Sequence, residues 1–199
     1  MIGPLYGVSW IDNFALMNEI REPAPPNPER PDLMAGLQPE EILLQPGEHP
    51  FPTKYARWGP TIRIEPNIYL DAIVRDFLLW GGHIVVRKFE TPRDLATLRE
   101  PIVMNCTGLG ARDLFGDREL IPLKGQLTVM VPQSEVMYHT IGGTRPQPPG
   151  SLGIHMMPRS DGIILGGTSQ RDVWTTEPDE AERKRIVDEH IEVFRAMKS

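Results

Sequence analysis

The turn Cys106-Thr107-Gly108-Leu109-Gly110 is where residue types and spacing first suggest a ligand. Ile102 to Asn105, just before it, read as a buried strand. A strand running into closely spaced glycines leaves bare backbone that can lie against a phosphate or a flat ring. The fit to the dinucleotide fingerprint is incomplete, because Gly108-x-Gly110-x-x-Asp113 has Asp where the third Gly belongs. Ala111 to Phe115 allows barely one helical turn before Gly116, too little helix to aim an N-terminus at a pyrophosphate. Glu135 stands near the spacing of a ribose-binding acid but follows Val131-Pro132 rather than a strand end. The turn therefore fails as a primary phosphate site. Two readings stay open: a secondary contact with a cofactor, or a tight turn at a sheet edge.

Other chemistry is sparse. The five histidines are scattered, and Cys106 is the only cysteine, which excludes an internal disulfide framework and a Cys-based zinc site. Nothing near Cys106 would lower its pKa, so it reads as a small buried hydrophobe. There is no Gly-x-Ser-x-Gly elbow, no P-loop and no His-Glu-x-x-His, and no metal ligand is assigned. The acidic residues between 177 and 189 read as a solvated helix face. A net charge of −6 without clustered Lys and Arg argues against nucleic acid as a partner. The start lacks the basic and apolar segments of a signal peptide, and no run reaches the ~18 apolar residues of a membrane span. The expectation is a soluble, cytoplasmic protein with no membrane partner.

The elements that would position these residues can be read from period and punctuation. Of the 21 prolines, many fall in Arg21 to Leu33 and Gly142 to Gly153, which read as extended surface loops. Leu37 to Leu44 reads as a short helix with Pro39 in its first turn. Residues 60–66 read as a strand, after which Asn67 caps a helix running to Trp80. Leu70, Ile73, Val74, Phe77 and Leu78 form its apolar stripe, and Gly81-Gly82 ends it. Residues 83–89 read as a strand, and Thr91-Pro92-Arg93-Asp94 as the capped start of a short helix. Beyond the Gly-rich turn, residues 123–131, 136–141, 153–158 and 162–168 read as consecutive, mainly antiparallel strands. Thr176 to Asp179 resembles a capping box opening an amphipathic helix to about Met197, with Val187, Ile191, Phe194 and Met197 on one face. The class is α/β (α+β): a partial α/β lobe joined to a mainly antiparallel sheet.

Several short segments, taken in order, resemble the D-amino-acid oxidase family of FAD-dependent oxidoreductases. Val103-Met-Asn-Cys-Thr-Gly108 is similar to that family's Val-x-Asn-Cys-Thr-Gly, at the end of a flavin-domain strand. Arg87-Lys-Phe-Glu90 resembles the segment where backbone meets the adenine side of the flavin. Lys124-Gly-Gln126 resembles the family's Arg-Gly-Gln. His155-Met-Met-Pro158, Leu165-Gly-Gly-Thr168 and Trp174 resemble its Tyr-Ile-Ile-Pro, Gly-Gly-Thr and Trp pattern. The likeness runs from about Trp58 to Trp174. The family's amino-terminal GxGxxG unit and its carboxyl-terminal arginine segment have no counterpart, so the chain resembles the central part of an oxidase, either a fragment or a truncated relative.

The resemblance implies oxidative deamination of a D-amino acid to a 2-oxo acid, ammonia and hydrogen peroxide. FAD takes the hydride, dioxygen reoxidises it, and the protein supplies orientation. It implies Lys88, Phe89, Thr107 and Gly108 at the adenosine end of FAD. It implies His155 at the substrate carboxylate, where the family has a tyrosine. No catalytic residue is assigned. Each of these residues also has an ordinary reading: Phe89 as packing at a strand end, Thr107 as the cap of its own turn, and His155 as a satisfied histidine on a half-buried strand. Arg145, Tyr55 and Tyr138 read as surface or packing residues. The implied divisions are residues 1–60 and 121–199 as substrate domain and 61–120 as partial FAD lobe. Alternatives are glycine- or sarcosine-type amines as substrate, or a flavin-free relative that binds small ligands or forms a homodimer.

Overall fold

The structure, a computed structural model, describes residues 3–20, 36, 39–146 and 153–198. Most of the two proline-rich stretches lies outside the described residues. A 3-10 turn at Pro4–Tyr6 leads into strand β1, Val8–Met17. The sequence reading assigned this segment no element, yet β1 is an interior strand of the sheet, paired on both sides. It pairs antiparallel with β3, Tyr55–Ile64, over ten residues from Val8↔Ile64 to Met17↔Tyr55. Its other side pairs parallel with β6, Tyr138–Gly142. The remaining members are β2 (Ile42–Leu44), β5 (Thr128–Met130), β7 (His155–Arg159) and β8 (Gly162–Gly166). The seven-stranded order is β2-β3-β1-β6-β7-β8-β5, with β1–β6 the only parallel neighbours among the described strands. β4 (Leu123–Lys124) and β9 (Gln170–Arg171) form a separate two-stranded ribbon. This is the expected mixed class with a mainly antiparallel sheet.

Side chains alternate across a strand, so register assigns the faces. Leu16, Ala56, Met156, Ile163 and Leu165 share one face. They pack with Phe51 and with Ile186 and Val193 of helix α3, Glu180–Arg195. Phe14 and Tyr138 meet there edge-on at 5.9 Å between ring centres, an arrangement aromatic quadrupoles favour. The opposite face carries Ile11, His139, His155, Ile164 and Gly166, all of them buried except the half-buried His155.

Several expectations are corrected. Leu37 to Leu44 is not a helix: Leu37 and Gln38 lie outside the described residues, and Ile42–Leu44 is a strand paired with Ala56 to Trp58. An exposed sheet edge offers a row of backbone partners, and that outweighs a short helical pattern. The helix expected to start at Asn67 is α1, Pro66–Leu79, with Glu65 at its N-cap and Pro66 in the first turn. Gly81 takes the left-handed conformation just past its end, as expected. The apolar stripe of α1 is exposed, however, and only Ala72 is buried. α1 packs on the Pro4–Tyr6 turn, where the Tyr6 hydroxyl donates to Asp76.

Residues 83–89 and 102–105, both read as strands, join no ladder, and Val86 is 100 % exposed. Every described hydrogen bond within residues 83–110 is local, the longest in sequence being Arg87 to Thr97. Apolar runs of this kind are strands only when neighbours lie on both sides, and none of the described strands lies beside them. The capped short helix is present as the 3-10 segment Pro92–Thr97, with Thr91 and Asp94 forming the reciprocal cap. Helix α2, Ala111–Phe115, ends at left-handed Gly116 as expected.

The cap of α3 is Asp179, not Thr176: its Oδ1 accepts from the N–H of Ala181 and Glu182 at 3.0 and 3.1 Å. The buried stripe of α3 is Ile186, Glu189, His190 and Val193, displaced by about one residue from the Val187-Ile191-Phe194 face. Phe194 and Met197 do pack at the edge of the core. The displacement follows from polar ends that find partners when buried. Glu189 accepts from Arg185 at 2.9 Å, and the His190 ring nitrogens meet the carbonyls of Ile186 (2.7 Å) and His155 (3.2 Å).

Candidate functional site

His155 lies half-buried on the sheet face opposite α3, and register puts it there. It is the partner of Gly166 on β8 and of Ile141 on β6. Its imidazole crosses the Gly166 backbone so closely that a Cβ on Gly166 would lie 2.1 Å from Nε2. Leu127 borders the same spot. Gly166 is therefore glycine because a ring occupies the place of its side chain. Burial lowers the His155 pKa, the nearby His190 lowers it further, and a hydrogen bond to the Gly153 backbone opposes both.

The structure brings a second imidazole to this face that sequence reasoning left among the scattered histidines. His139 lies two residues before Ile141 on β6, so it shares the face of His155. It is 7 % exposed, and its Nε2 has no hydrogen-bond partner. Burial lowers its pKa, with smaller contributions from Arg63 and His155. The available signal was strand alternation in residues 138–141, with Tyr138 and Thr140 facing the core.

Nearby, Glu65 is buried and accepts from the Ser160 N–H (3.0 Å) and Ser160 hydroxyl (3.0 Å) in the β7–β8 turn, with Arg63 Nε 3.5 Å away. Arg63 also donates to Ser9 at 3.2 Å. At the other edge, the Gln126 side chain clamps the start of α3. Its Nε2 donates to the Asp179 carbonyl, its Oε1 accepts from the Asp179 N–H, and Thr168 bonds the Gln126 backbone. Lys124-Gly-Gln126 and Gly-Gly-Thr168 thus act as structural joints in this chain.

The four residues expected at the adenosine end are not gathered into a site. Lys88 pairs with Glu90 at 2.7 Å, and Phe89 lies under the Arg87 guanidinium at 5.0 Å. The Thr107 hydroxyl and N–H both turn to Asn105 Oδ1, the turn-capping role named as the alternative. Gly108 has φ +55, but a Cβ there would meet open space, so nothing presses on it. Cys106 is exposed, not buried, because the turn around it packs on nothing. These residues do not by themselves fit a flavin. Arg145 pairs with Glu189 (3.5 Å) and with Glu192; Trp174 stacks under Arg112 at 5.3 Å.

Three imidazoles, His139, His155 and His190, have pKa values lowered from 6.5, with burial the largest cause in each. The fold prefers them neutral, while the unfolded chain protonates near 6.5. Their contribution to stability is present above that value and is lost as pH falls through it. Each group adds up to about 1.4 kcal/mol per pH unit to the slope. Urea midpoints are expected to fall between pH 7.5 and 5.5, and a flat profile would contradict neutral burial.

Comparison with known proteins places the chain. A family model described as FAD-dependent oxidoreductase matches residues 34–198. The chain is 31% identical over 140 residues to a D-amino acid oxidase of Dugesia ryukyuensis, covering 69% of this chain and 39% of that protein. It is 34% identical over 122 residues to a D-amino-acid oxidase of Streptomyces coelicolor, covering 61% and 36%. It is 31% identical over 127 residues to a D-aspartate oxidase of Homo sapiens, covering 64% and 35%. The chain spans less than two fifths of these curated relatives.

Proposed function

Because the chain belongs to the family of FAD-dependent oxidoreductases, matched over residues 34–198, we propose that it supplies the substrate-side wall of an FAD-dependent D-amino-acid oxidase. The observation that carries this reading is His155, half-buried over Gly166 on the sheet face opposite α3, at the position where the resemblance implies a substrate ligand. FAD, the family's cofactor, supplies the two-electron acceptor of such a reaction. This chain's part is to orient the amino acid through His155, with residues 61–120 as the partial flavin lobe and residues 1–60 and 121–199 as substrate domain. Substrate and dioxygen are its partners in this reading. Among the described residues no helix is long and apolar enough to cross a membrane. A lone cysteine suits the cytoplasm as compartment.

The exposed, unpaired 83–110 segment favours a second reading for these residues taken alone: a flavin-free relative whose apolar α1 face meets a second copy. One experiment separates the two. The purified chain, and a longer protein carrying a GxGxxG unit before it and an arginine segment after it, are each mixed with excess FAD and desalted. The chain alone is expected to emerge colourless. The longer protein should keep a shifted flavin spectrum and release peroxide from D- but not L-amino acids. A longer protein that keeps no flavin or makes no peroxide would sink the oxidase reading.

A further inference from the structure

We propose that Asp172 and Trp174 are positioning residues for the flavin side of the protein: they hold Arg112, and through it the Thr107-Gly108 turn, at a fixed place against the substrate-side strands. The proposal rests on the reading of residues 61–120 as the partial flavin lobe and adds the joint that fixes this part of it.

The starting observation is backbone strain. Asp172 has φ +60, the only positive value at a residue other than glycine among the described residues. Aspartate tolerates the left-handed region better than most side chains, yet at a cost, so such a position persists where surrounding contacts impose it. Two contacts do so here. The Asp172 N–H donates to the Pro122 carbonyl at 2.9 Å, one residue beyond the β4–β9 ribbon. Its Oδ1 accepts from the Trp174 Nε1–H, also at 2.9 Å. The indole so held lies against the Arg112 guanidinium, 5.3 Å from the ring centre.

Arg112 is gripped from its edge as well. Its Nη1 donates to the carbonyls of Arg118 at 2.9 Å and Leu120 at 2.6 Å. A planar guanidinium with a ring on its face and oxygens at its edge has one preferred orientation. Continuous backbone bonding carries that orientation to the turn. The Gly110 N–H donates to the Thr107 carbonyl at 3.0 Å, the Ala111 N–H meets the carbonyls of Gly108 and Leu109, and α2 follows to Phe115. Among the described residues, the Arg112–Trp174 stack is the one hydrogen-bond, ionic or ring contact between residues 83–118 and any residue past 120. Gly108 itself faces open space, so the helix after the turn sets the turn's position. A cofactor contact fixed in advance loses less freedom on binding, and the joint thereby raises affinity for the cofactor.

Amide hydrogen exchange on the 199-residue chain tests the joint. Trp174→Leu removes the stack. Asp172→Gly keeps the left-handed backbone without strain and removes the indole's acceptor. Each is expected to speed exchange at residues 108–115 by about threefold, the loss of one exposed cation–π contact, and to leave α3 and β6 to β8 unchanged. Asp172→Asn tolerates the same backbone and keeps an acceptor, so it should exchange like wild type. Should Trp174→Leu fail to fold, Asp172→Gly decides. Unchanged exchange at residues 108–115, an equal rise along the whole chain, or Asp172→Asn behaving as Asp172→Gly would each overturn the proposal. The consequence for the cofactor is read in the longer protein, where Trp174→Leu should weaken FAD by about threefold, and equal affinity would overturn the proposal too. A longer wild-type protein that holds no FAD would count against the oxidase reading alone, because the exchange measurement needs no flavin.

Discussion

Gly142→Ala is expected to lower stability by about 3 kcal/mol, enough to displace the melting temperature by roughly 10 °C in a chain of this size. Gly142 has φ +87 and is the β6 partner of Leu16, and a Cβ there would lie 2.3 Å from the Leu16 carbonyl oxygen. The left-handed conformation alone costs a side chain about 1–2 kcal/mol. The rest is the collision, which only separation of β1 from β6 can relieve, and that is the one parallel joint between the two halves of the sheet. The Gly142 N–H also donates to the Ile154 carbonyl at 2.8 Å, so the strand cannot move without loosening the start of β7. Gly81 provides the internal control. It has the same φ of +87 but nothing within 4 Å of an added Cβ, so Gly81→Ala should cost only the conformational part, about 1 kcal/mol. Equal losses in the two variants, read from urea midpoints, would show that the Leu16 contact does not matter.

Glu65→Ala is the second large effect, about 2–4 kcal/mol. The carboxylate is 5 % exposed and ties the β7–β8 turn to the end of β3 through Ser160, while lying against Arg63. Deleting it strands a backbone N–H without its acceptor and leaves a partly buried guanidinium without its anionic partner, and that desolvation penalty is larger than the net worth of the bonds themselves. Glu65→Gln keeps an acceptor for Ser160 but not the charge, so it should recover about half of the loss. Thermal melts of the two variants check this, and a Glu65→Ala protein melting within a degree or two of wild type would refute it.

Both residues show where the sequence was legible and where it was not. Gly142 stood at the mouth of a proline-rich loop and read as loop punctuation; its requirement comes from a carbonyl 126 positions earlier in the chain. Glu65 preceded a proline at a helix start, and nothing local marks its carboxylate as buried against a turn near residue 160. The strands 138–142, 155–159 and 162–166 were readable, because alternation and bounding Gly and Pro are local properties. The same holds for the Thr91–Asp94 cap and for Gly81 and Gly116 closing their helices. The motif order from Arg87 to Trp174 carried the family.

Sequence alone determined the α/β class, the antiparallel run after residue 120, most helix ends and the likeness to an FAD-dependent oxidoreductase. Each of these depends on neighbours within a few residues or on the order of short motifs. Only the tertiary structure decided that Val8–Met17 is an interior strand paired on both sides, that residues 83–89 and 102–106 pair with nothing described, and that His190 is buried while α1 keeps its apolar stripe exposed. It alone set His139 beside His155. Burial and pairing depend on which distant segment lies alongside, and an apolar or polar pattern states only what a residue tolerates, not what it meets.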